Sequence, residues 1–129
     1  MTTAKKILVV DDDMDQLDNL ALTLKSEGYE VMKAQGQKEG EEAILNAMPD
    51  LAILDLMMEN MDSGIVLCHY IKRLYPETPV IILTAVKSAT GMDLSPKSTG
   101  AAAWLKADLL MDKPARPEQI KNEVKRLLA

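Results

Sequence analysis

The sequence contains no Phe, and aromatic residues make up only 3% of its 129 residues. A hydrophobic core must therefore be built from Leu, Ile, Val, Met and Ala, and nine Met residues make that core, or a partner surface, adaptable. The single cysteine, Cys68, excludes an intramolecular disulfide, so we expect a packing residue in a cytoplasmic protein. No apolar run approaches about 18 residues, so we expect no membrane span and no signal peptide.

Positive charge is scarce as well. Fifteen Lys and Arg residues stand against 20 Asp and Glu residues, which gives a net charge of −5. Direct binding to nucleic acid is therefore not expected, because a phosphate backbone demands clustered positive side chains. The other proportions, 47% hydrophobic and 27% charged, are ordinary for a globular domain. The length corresponds to a single domain, residues 1–129.

Short apolar runs alternate with longer amphipathic segments along the chain. Three runs are too short for helices and rich in β-branched residues: Ile7–Val10, Leu51–Leu54 and Val80–Leu83. They predict strands that are buried on both faces of a sheet. Tyr29–Ala34 predicts a weaker edge strand, and Leu109–Met111 predicts a last strand.

The segments between these strands carry apolar residues at helical spacing. A loop composition over Ser88–Thr99 precedes a further predicted helix through Ala101–Leu105. Alternating strands and helices predict an α/β fold whose parallel sheet is covered by helices on both faces. The other predicted helices are one from Leu17 to Leu24 with Gly28 as C-cap, one through Ile44, Ala47 and Met48 that ends at Pro49, one from Leu67 to Leu74, and one opened by Pro117 that continues through Ile120 to Leu128.

Polar side chains follow the predicted strands at the edge where functional groups gather in such a sheet. Three carboxylates at close quarters repel one another, and a divalent cation that prefers oxygen ligands, best Mg²⁺, removes that repulsion. A hydroxyl and an ammonium group beside them complete a site for a phosphoryl group, which a carboxylate oxygen attacks in line. The residues concerned are Asp11, Asp12 and Asp13 after the first strand, Asp55 after the third, Thr84 after the fourth and Lys113 after the last.

Simpler interpretations exist for several polar residues. Asp13 is expected to be the N-cap of the first helix rather than a ligand. Lys106 is a rival to Lys113 but lacks a following proline. His69 falls in the middle of a predicted helix, which favours a surface histidine. Trp104 is expected to be a packing anchor, or part of a partner surface if it is exposed.

Four stretches, taken together and in order, resemble the receiver domain of bacterial two-component response regulators over residues 5–128. The resemblance implies a flavodoxin-like, doubly wound sheet of five parallel strands in the order 2-1-3-4-5. The four stretches are Val9-Val10-Asp11-Asp12, Pro49-Asp50-Leu51-Ala52-Ile53-Leu54-Asp55-Leu56-Met57-Met58, Pro79-Val80-Ile81-Ile82-Leu83-Thr84-Ala85 and Lys113-Pro114.

The resemblance also implies a role for each matching residue. Asp55 is the phosphoacceptor, and Asp11 and Asp12 hold Mg²⁺ beside it, with Asp12 the more direct ligand. Met57 contributes its backbone carbonyl to the metal. The remaining matches are Thr84, which turns toward the phosphoryl group, Ala85, which leaves that group accessible, and Lys113, which pairs with it and precedes a cis peptide bond to Pro114.

The chain departs from the family pattern at four places. Glu59 replaces a frequent proline, and the turn Met61-Asp62-Ser63-Gly64 is one residue longer than usual. The interval from Thr84 to Lys113 is longer by roughly half a dozen residues. Leu110 occupies the position of an aromatic residue that swings inward on phosphorylation. These departures affect the signalling route rather than the acceptor chemistry.

The resulting prediction is a magnesium-dependent signalling receiver that a histidine kinase or a phosphotransfer protein phosphorylates on Asp55. We expect an unidentified downstream protein partner, no membrane contact and no enzyme activity beyond self-catalysed phosphotransfer and dephosphorylation. The chain is then a stand-alone receiver or a piece of a longer regulator, and homodimer formation stays open. One alternative is an interaction module that works without phosphorylation. Another is a metal-dependent phosphatase, which would need an acid or base better placed than His69.

Overall fold

A computed structural model of the chain describes residues 4–56, 58, 63–84, 107–113 and 115–129. The predicted loop over Ser88–Thr99, the predicted helix through Ala101–Leu105 and the side chain of Trp104 lie outside these residues. The strands are β1 Lys6–Val10, β2 Glu30–Ala34, β3 Leu51–Asp55, β4 Val80–Thr84 and β5 Leu109–Asp112. The described helices, numbered in chain order, are α1 Met14–Ser26, α2 Gln37–Asn46, α3 Ser63–Leu74 and α4 Pro117–Leu128.

The five strands form one sheet in which every neighbouring pair is parallel, in the order β2-β1-β3-β4-β5. This confirms the predicted α/β fold and its strand order. Val10 of β1 pairs with Ala34 and Leu54, and Asp55 of β3 pairs with Leu83. Because the strands are parallel and in this register, their carboxyl ends lie along one edge of the sheet.

The three central strands are buried and the two outer strands are half-buried. Every residue of β3 and β4 is buried, and in β1 only Lys6 is partly exposed. β2 and β5 lie at the edges, and β5 has no buried residue. The continuous apolar runs predicted this arrangement, because a strand covered on both faces cannot alternate polar with apolar side chains.

The core is split into two apolar clusters, one on each face of the sheet, because successive side chains of a strand point to opposite faces. The first cluster packs against α2 and α3 and contains Leu8, Val10, Ala52, Leu54, Ile82, Ile44, Leu67 and Cys68, so Cys68 is the packing residue that the sequence predicts. The second packs against α1 and α4 and contains Ile7, Val9, Ile53, Ile81, Leu17, Leu24, Ile120 and Val124.

The start of α1 follows its local sequence signal, whereas the predicted ends of α1 and α2 are displaced by one and two residues. Asp13 caps α1, since its side chain accepts hydrogen bonds from the backbone N–H groups of Asp15 and Gln16, as predicted. Gly28, with φ +90°, lies one residue beyond the actual cap, Glu27. The prediction that α2 continues through Met48 is wrong, because the helix ends at Asn46 and Ala47 is extended. The following Pro49 disfavours helical geometry at the residue before it, which draws the helix end upstream.

Among the described residues, no helix is both long and apolar enough to cross a membrane.

Candidate functional site

Three carboxylates meet at the carboxyl edge of the sheet. Asp11 directly follows β1, Asp12 comes next, and Asp55 is the last residue of β3. One carboxylate oxygen of each lies within 4.8 Å of the others. Asp11 and Asp55 are buried, with 3% and 7% of their surface exposed, whereas Asp12 is exposed. The structure therefore brings together the three acidic residues that the sequence selects.

Asp11 is held in place by three hydrogen-bonded or charged contacts. Its Oδ1 atom accepts a hydrogen bond of 2.9 Å from the backbone N–H of Asp13. Its own backbone N–H donates to the carbonyl of Ala34 at the end of β2, at 3.2 Å. Its Oδ2 atom lies 3.3 Å from the Nζ atom of Lys113. The Asp11 carboxylate is thus fixed between the first helix cap and the end of β5.

Lys113, which follows β5, contacts both the acidic residues and the end of β4. Its Nζ atom lies 3.1 Å from Oδ1 of Asp55, and its backbone N–H donates to the carbonyl of Thr84 at 2.9 Å. Burial alone would lower the pKa of Lys113, but the charges of Asp55 and Asp11 outweigh it and the pKa is raised. The side chain is therefore a permanent cation, as sequence reasoning requires of it.

The negative charge of the Asp55 carboxylate is only partly offset by its surroundings. Burial raises its pKa from 3.8 to about 6, against the opposing attraction of Lys113 and with added repulsion from Asp11 and Asp12. One ammonium group faces three carboxylates among the described residues. A group of ligand atoms that are all oxygens, with excess negative charge, suits a hard divalent cation. These carboxylate oxygens therefore fit the predicted Mg²⁺.

Thr84 is the last residue of β4 and is almost fully buried. It pairs with Asp112 of β5, and the residue before it, Leu83, pairs with Asp55. The hydroxyl residue therefore lies at the edge of the sheet that carries the acidic cluster. Three other predicted positions, Met57, Ala85 and Pro114, lie outside the described residues, as does Lys106. His69 is half-buried within α3 and is not part of the carboxylate cluster.

Gly64, which the sequence pattern assigned to a turn, is the second residue of α3 and a structural element of the site that the sequence did not predict. Its backbone N–H donates to the carbonyl of Leu56 at 2.8 Å. A Cβ atom at Gly64 would lie 2.7 Å from Cα of Leu56 and even closer to the backbone carbonyl oxygen of Asp55. Only glycine fits where the first turn of α3 packs on the backbone of Asp55. The sequence feature that could have pointed to this close packing is a glycine near the start of a helix, within ten residues of Asp55.

The strand order defines a flavodoxin-like domain, and three carboxylates that could hold a cation lie at its carboxyl edge. The family model of the response regulator receiver domain matches residues 7–125. The chain therefore belongs to the response regulator receiver domain family, and the predicted family is confirmed.

Solved structures of receiver domains match the whole fold. A CheY-like receiver domain protein from Methanospirillum hungatei JF-1 is 29% identical, with a TM-score of 0.82 over 98% of this chain and 94% of that one. The signal receiver domain of a histidine kinase from Syntrophus aciditrophicus is 31% identical, with a TM-score of 0.79 over 97% and 90%. TrrA from Thermotoga maritima, in complex with Mg(2+)-BeF, is 29% identical, with a TM-score of 0.78 over 96% and 99%.

Proposed function

We propose that this receiver domain accepts a phosphoryl group on the carboxylate of Asp55. The observation that carries the proposal is the contact between Asp55 and Lys113, 3.1 Å apart, beside two further carboxylates. A carboxylate oxygen supplies the nucleophile, and the ammonium group supplies charge that the incoming phosphoryl oxygens require. The family membership and the structure of TrrA with Mg(2+)-BeF support the same chemistry.

Asp11, Asp12 and Asp55 would hold the magnesium ion, together with the backbone carbonyl that the family resemblance assigns to Met57. When bound, the ion supplies positive charge that neutralises the carboxylates and the phosphoryl oxygens. Asp11 is already oriented by the N–H of Asp13 and by Lys113, so it needs little reorganisation. Asp12 is the exposed member, which leaves it accessible to an ion that keeps several water molecules.

Thr84 and Lys113 are proposed to contact the transferred phosphoryl group. Their backbones are joined by the hydrogen bond from the Lys113 N–H to the Thr84 carbonyl. A phosphoryl group on Asp55 would displace the Lys113 ammonium group from one carboxylate oxygen. Its phosphoryl oxygens would offer that ammonium group new partners. The switch would then bias an equilibrium between two conformations of the domain.

The donor is proposed to be a histidine kinase or a phosphotransfer protein, and the output a protein partner. We expect modification of one residue per chain rather than turnover of a substrate, in a protein of the cytoplasm that binds neither membrane nor nucleic acid. The family membership supports a signalling role of this kind. An interaction module that works without phosphorylation is the competing function.

Incubation with acetyl phosphate and Mg²⁺, followed by intact-protein mass spectrometry, tests the proposal. We expect a gain of one phosphoryl group that disappears with a chelator and in Asp55→Asn. Asp18→Asn is the matched control, since Asp18 is an exposed aspartate of α1 paired with Lys33, and it should leave the gain intact. No gain in the wild-type chain under any of these conditions would favour the interaction module.

A further inference from the structure

A groove of about 790 Å³ runs from the acidic site along the interface between α1 and α4. Six apolar residues line its walls, namely Leu20, Leu22, Leu83, Ala115, Pro117 and Ile120. Asn19 and Thr23 of α1 add polar groups. A volume of this size is within the range of pockets that hold small organic molecules.

One end of the groove adjoins the acceptor site. Asp11 and Lys113 line the groove, and the same Nζ atom of Lys113 lies 3.1 Å from Oδ1 of Asp55. A molecule that places a phosphoryl group beside Lys113 therefore has an apolar channel next to it. The two halves differ in chemistry, since charged residues line the phosphoryl end, whereas the remainder is lined mainly by aliphatic side chains together with the polar groups of Gln16, Asn19 and Thr23.

We propose that this groove binds the organic part of a small acyl phosphate, so that Asp55 reacts preferentially with donors that carry an aliphatic chain. This inference rests on the proposed function, because it assumes that Asp55 is phosphorylated. The groove would determine which small phosphodonor reacts fastest with Asp55. Leu20, Thr23 and Ala115 would then determine donor specificity without taking part in the chemistry.

The reaction balances without any further reactant. A carboxylate oxygen of Asp55 attacks phosphorus, and a new P–O bond forms. The bond between phosphorus and the acyl oxygen of the donor breaks, and its electron pair leaves with the donor's carboxylate. The products are the aspartyl phosphate and a free carboxylate anion, and no proton is gained or lost.

The size of the expected preference follows from the apolar area that the chain buries. Hexanoyl phosphate has four more methylene groups than acetyl phosphate, and complete burial of all four would favour binding by about two hundredfold. The groove is partly open to solvent, so we expect only about a tenfold difference in the second-order rate constant, since uniform binding raises kcat/KM. The two leaving carboxylates have nearly equal basicity, so intrinsic reactivity contributes little to the ratio.

The test compares the rates at which hexanoyl phosphate and acetyl phosphate phosphorylate the full chain with Mg²⁺. Two variants fill the groove from different elements, Thr23→Phe from α1 and Ala115→Leu from the segment after β5. Either should bring the hexanoyl-to-acetyl ratio from about ten to near one. Leu45→Phe is the control, because Leu45 is an exposed residue of α2 on the other face of the sheet, and it should keep the ratio of about ten.

A ratio near one in the wild-type chain, or a ratio of ten that survives in both filled variants, would overturn the groove proposal while leaving Asp55 as acceptor. If neither donor modifies the wild-type chain, the proposed function itself fails. An independent readout uses hexylphosphonate, which cannot transfer its phosphorus group. Addition of hexylphosphonate should shift the backbone amide NMR signals of Leu20, Thr23 and Ile120. Ethylphosphonate should leave these three signals unchanged. Equal shift patterns for both ligands would contradict the proposal.

Discussion

The Nζ atom of Lys113 lies 3.1 Å from Oδ1 of Asp55 and 3.3 Å from Oδ2 of Asp11. One ammonium group at the end of β5 thus contacts the carboxylates that end β3 and follow β1. The contact with Lys113 lowers the pKa of Asp55, but burial, together with repulsion from Asp11 and Asp12, outweighs it. The described side chains of the site therefore carry more negative charge than Lys113 compensates.

Asp55→Asn should stabilise the metal-free protein at neutral pH. Between pH 4 and 6 the folded chain keeps the Asp55 proton while the unfolded chain has lost it, because the pKa rises from 3.8 to about 6 on folding. Stability from this group is therefore lost as pH rises through that window. Urea unfolding with a chelator should show Asp55→Asn more stable by about 1 to 3 kcal/mol at pH 7 and by little below pH 4. An equal difference at both pH values would contradict the raised pKa.

Lys113→Met should raise the pKa of Asp55 above its value of about 6, because the attraction that opposes burial is removed. We expect this rise in the pKa of Asp55 to be read from the NMR chemical shift of the Asp55 carboxyl carbon during a pH titration. Lys72→Met is the control, since Lys72 pairs with Asp108 beyond the amino ends of the strands. An Asp55 titration that is the same in Lys113→Met and in the wild type would show that the Lys113–Asp55 contact is absent in solution.

Sequence patterns predicted the fold and most of the site because both depend on short-range regularities. The runs around Val10, Leu54 and Leu83 identified buried parallel strands, and such strands end at one edge. The residues after those runs could therefore be placed near one another. Asp55 and Thr84 proved to be the last residues of their strands rather than the first beyond them.

Features that depend on packing between distant segments were not predictable in this way. Periodicity gave no sign that Gly64 packs against the backbone of Asp55, since that contact depends on the path of the intervening chain. The groove depends on the spacing of α1 and α4, which a sequence pattern does not encode. The end of α2 was misplaced because the apolar residues Ala47 and Met48 continued the helical pattern beyond the actual helix.

Gly64→Ala should disturb the acceptor as well as the fold. Its new methyl group would overlap the backbone of Asp55 and Leu56, which cannot yield as a flexible side chain does. We expect a loss of about 2 to 3 kcal/mol in the free energy of unfolding and a slower reaction with acetyl phosphate. Gly28→Ala is the matched control, because Gly28 has open space around it and only its φ of +90° is unfavourable. It should cost about 1 kcal/mol and leave phosphorylation unchanged, whereas equal effects of the two variants would contradict the packing role of Gly64.

Asp108→Ala should destabilise the opposite edge of the sheet without changing the acceptor. Oδ2 of Asp108 accepts hydrogen bonds from Lys72 Nζ at 2.7 Å and from the Val80 N–H at 2.8 Å. Their loss leaves two donors without this acceptor, and we expect about 2 kcal/mol in chemical unfolding. Asp18→Ala removes the exposed pair with Lys33 and should cost under about 0.5 kcal/mol. Equal losses in the free energy of unfolding for the two variants would contradict a stabilising role of the Lys72–Asp108 contact.

Asp55 itself should carry the phosphoryl group. Borohydride reduces an aspartyl phosphate to homoserine, so reduction after treatment with acetyl phosphate and Mg²⁺, followed by peptide mass spectrometry, reads out the modified position. We predict homoserine at position 55 and at no other aspartate, and none when Mg²⁺ is withheld. Homoserine at position 11 or 12, or an unmodified Asp55 in a chain that has gained a phosphoryl group, would show that another residue is the acceptor.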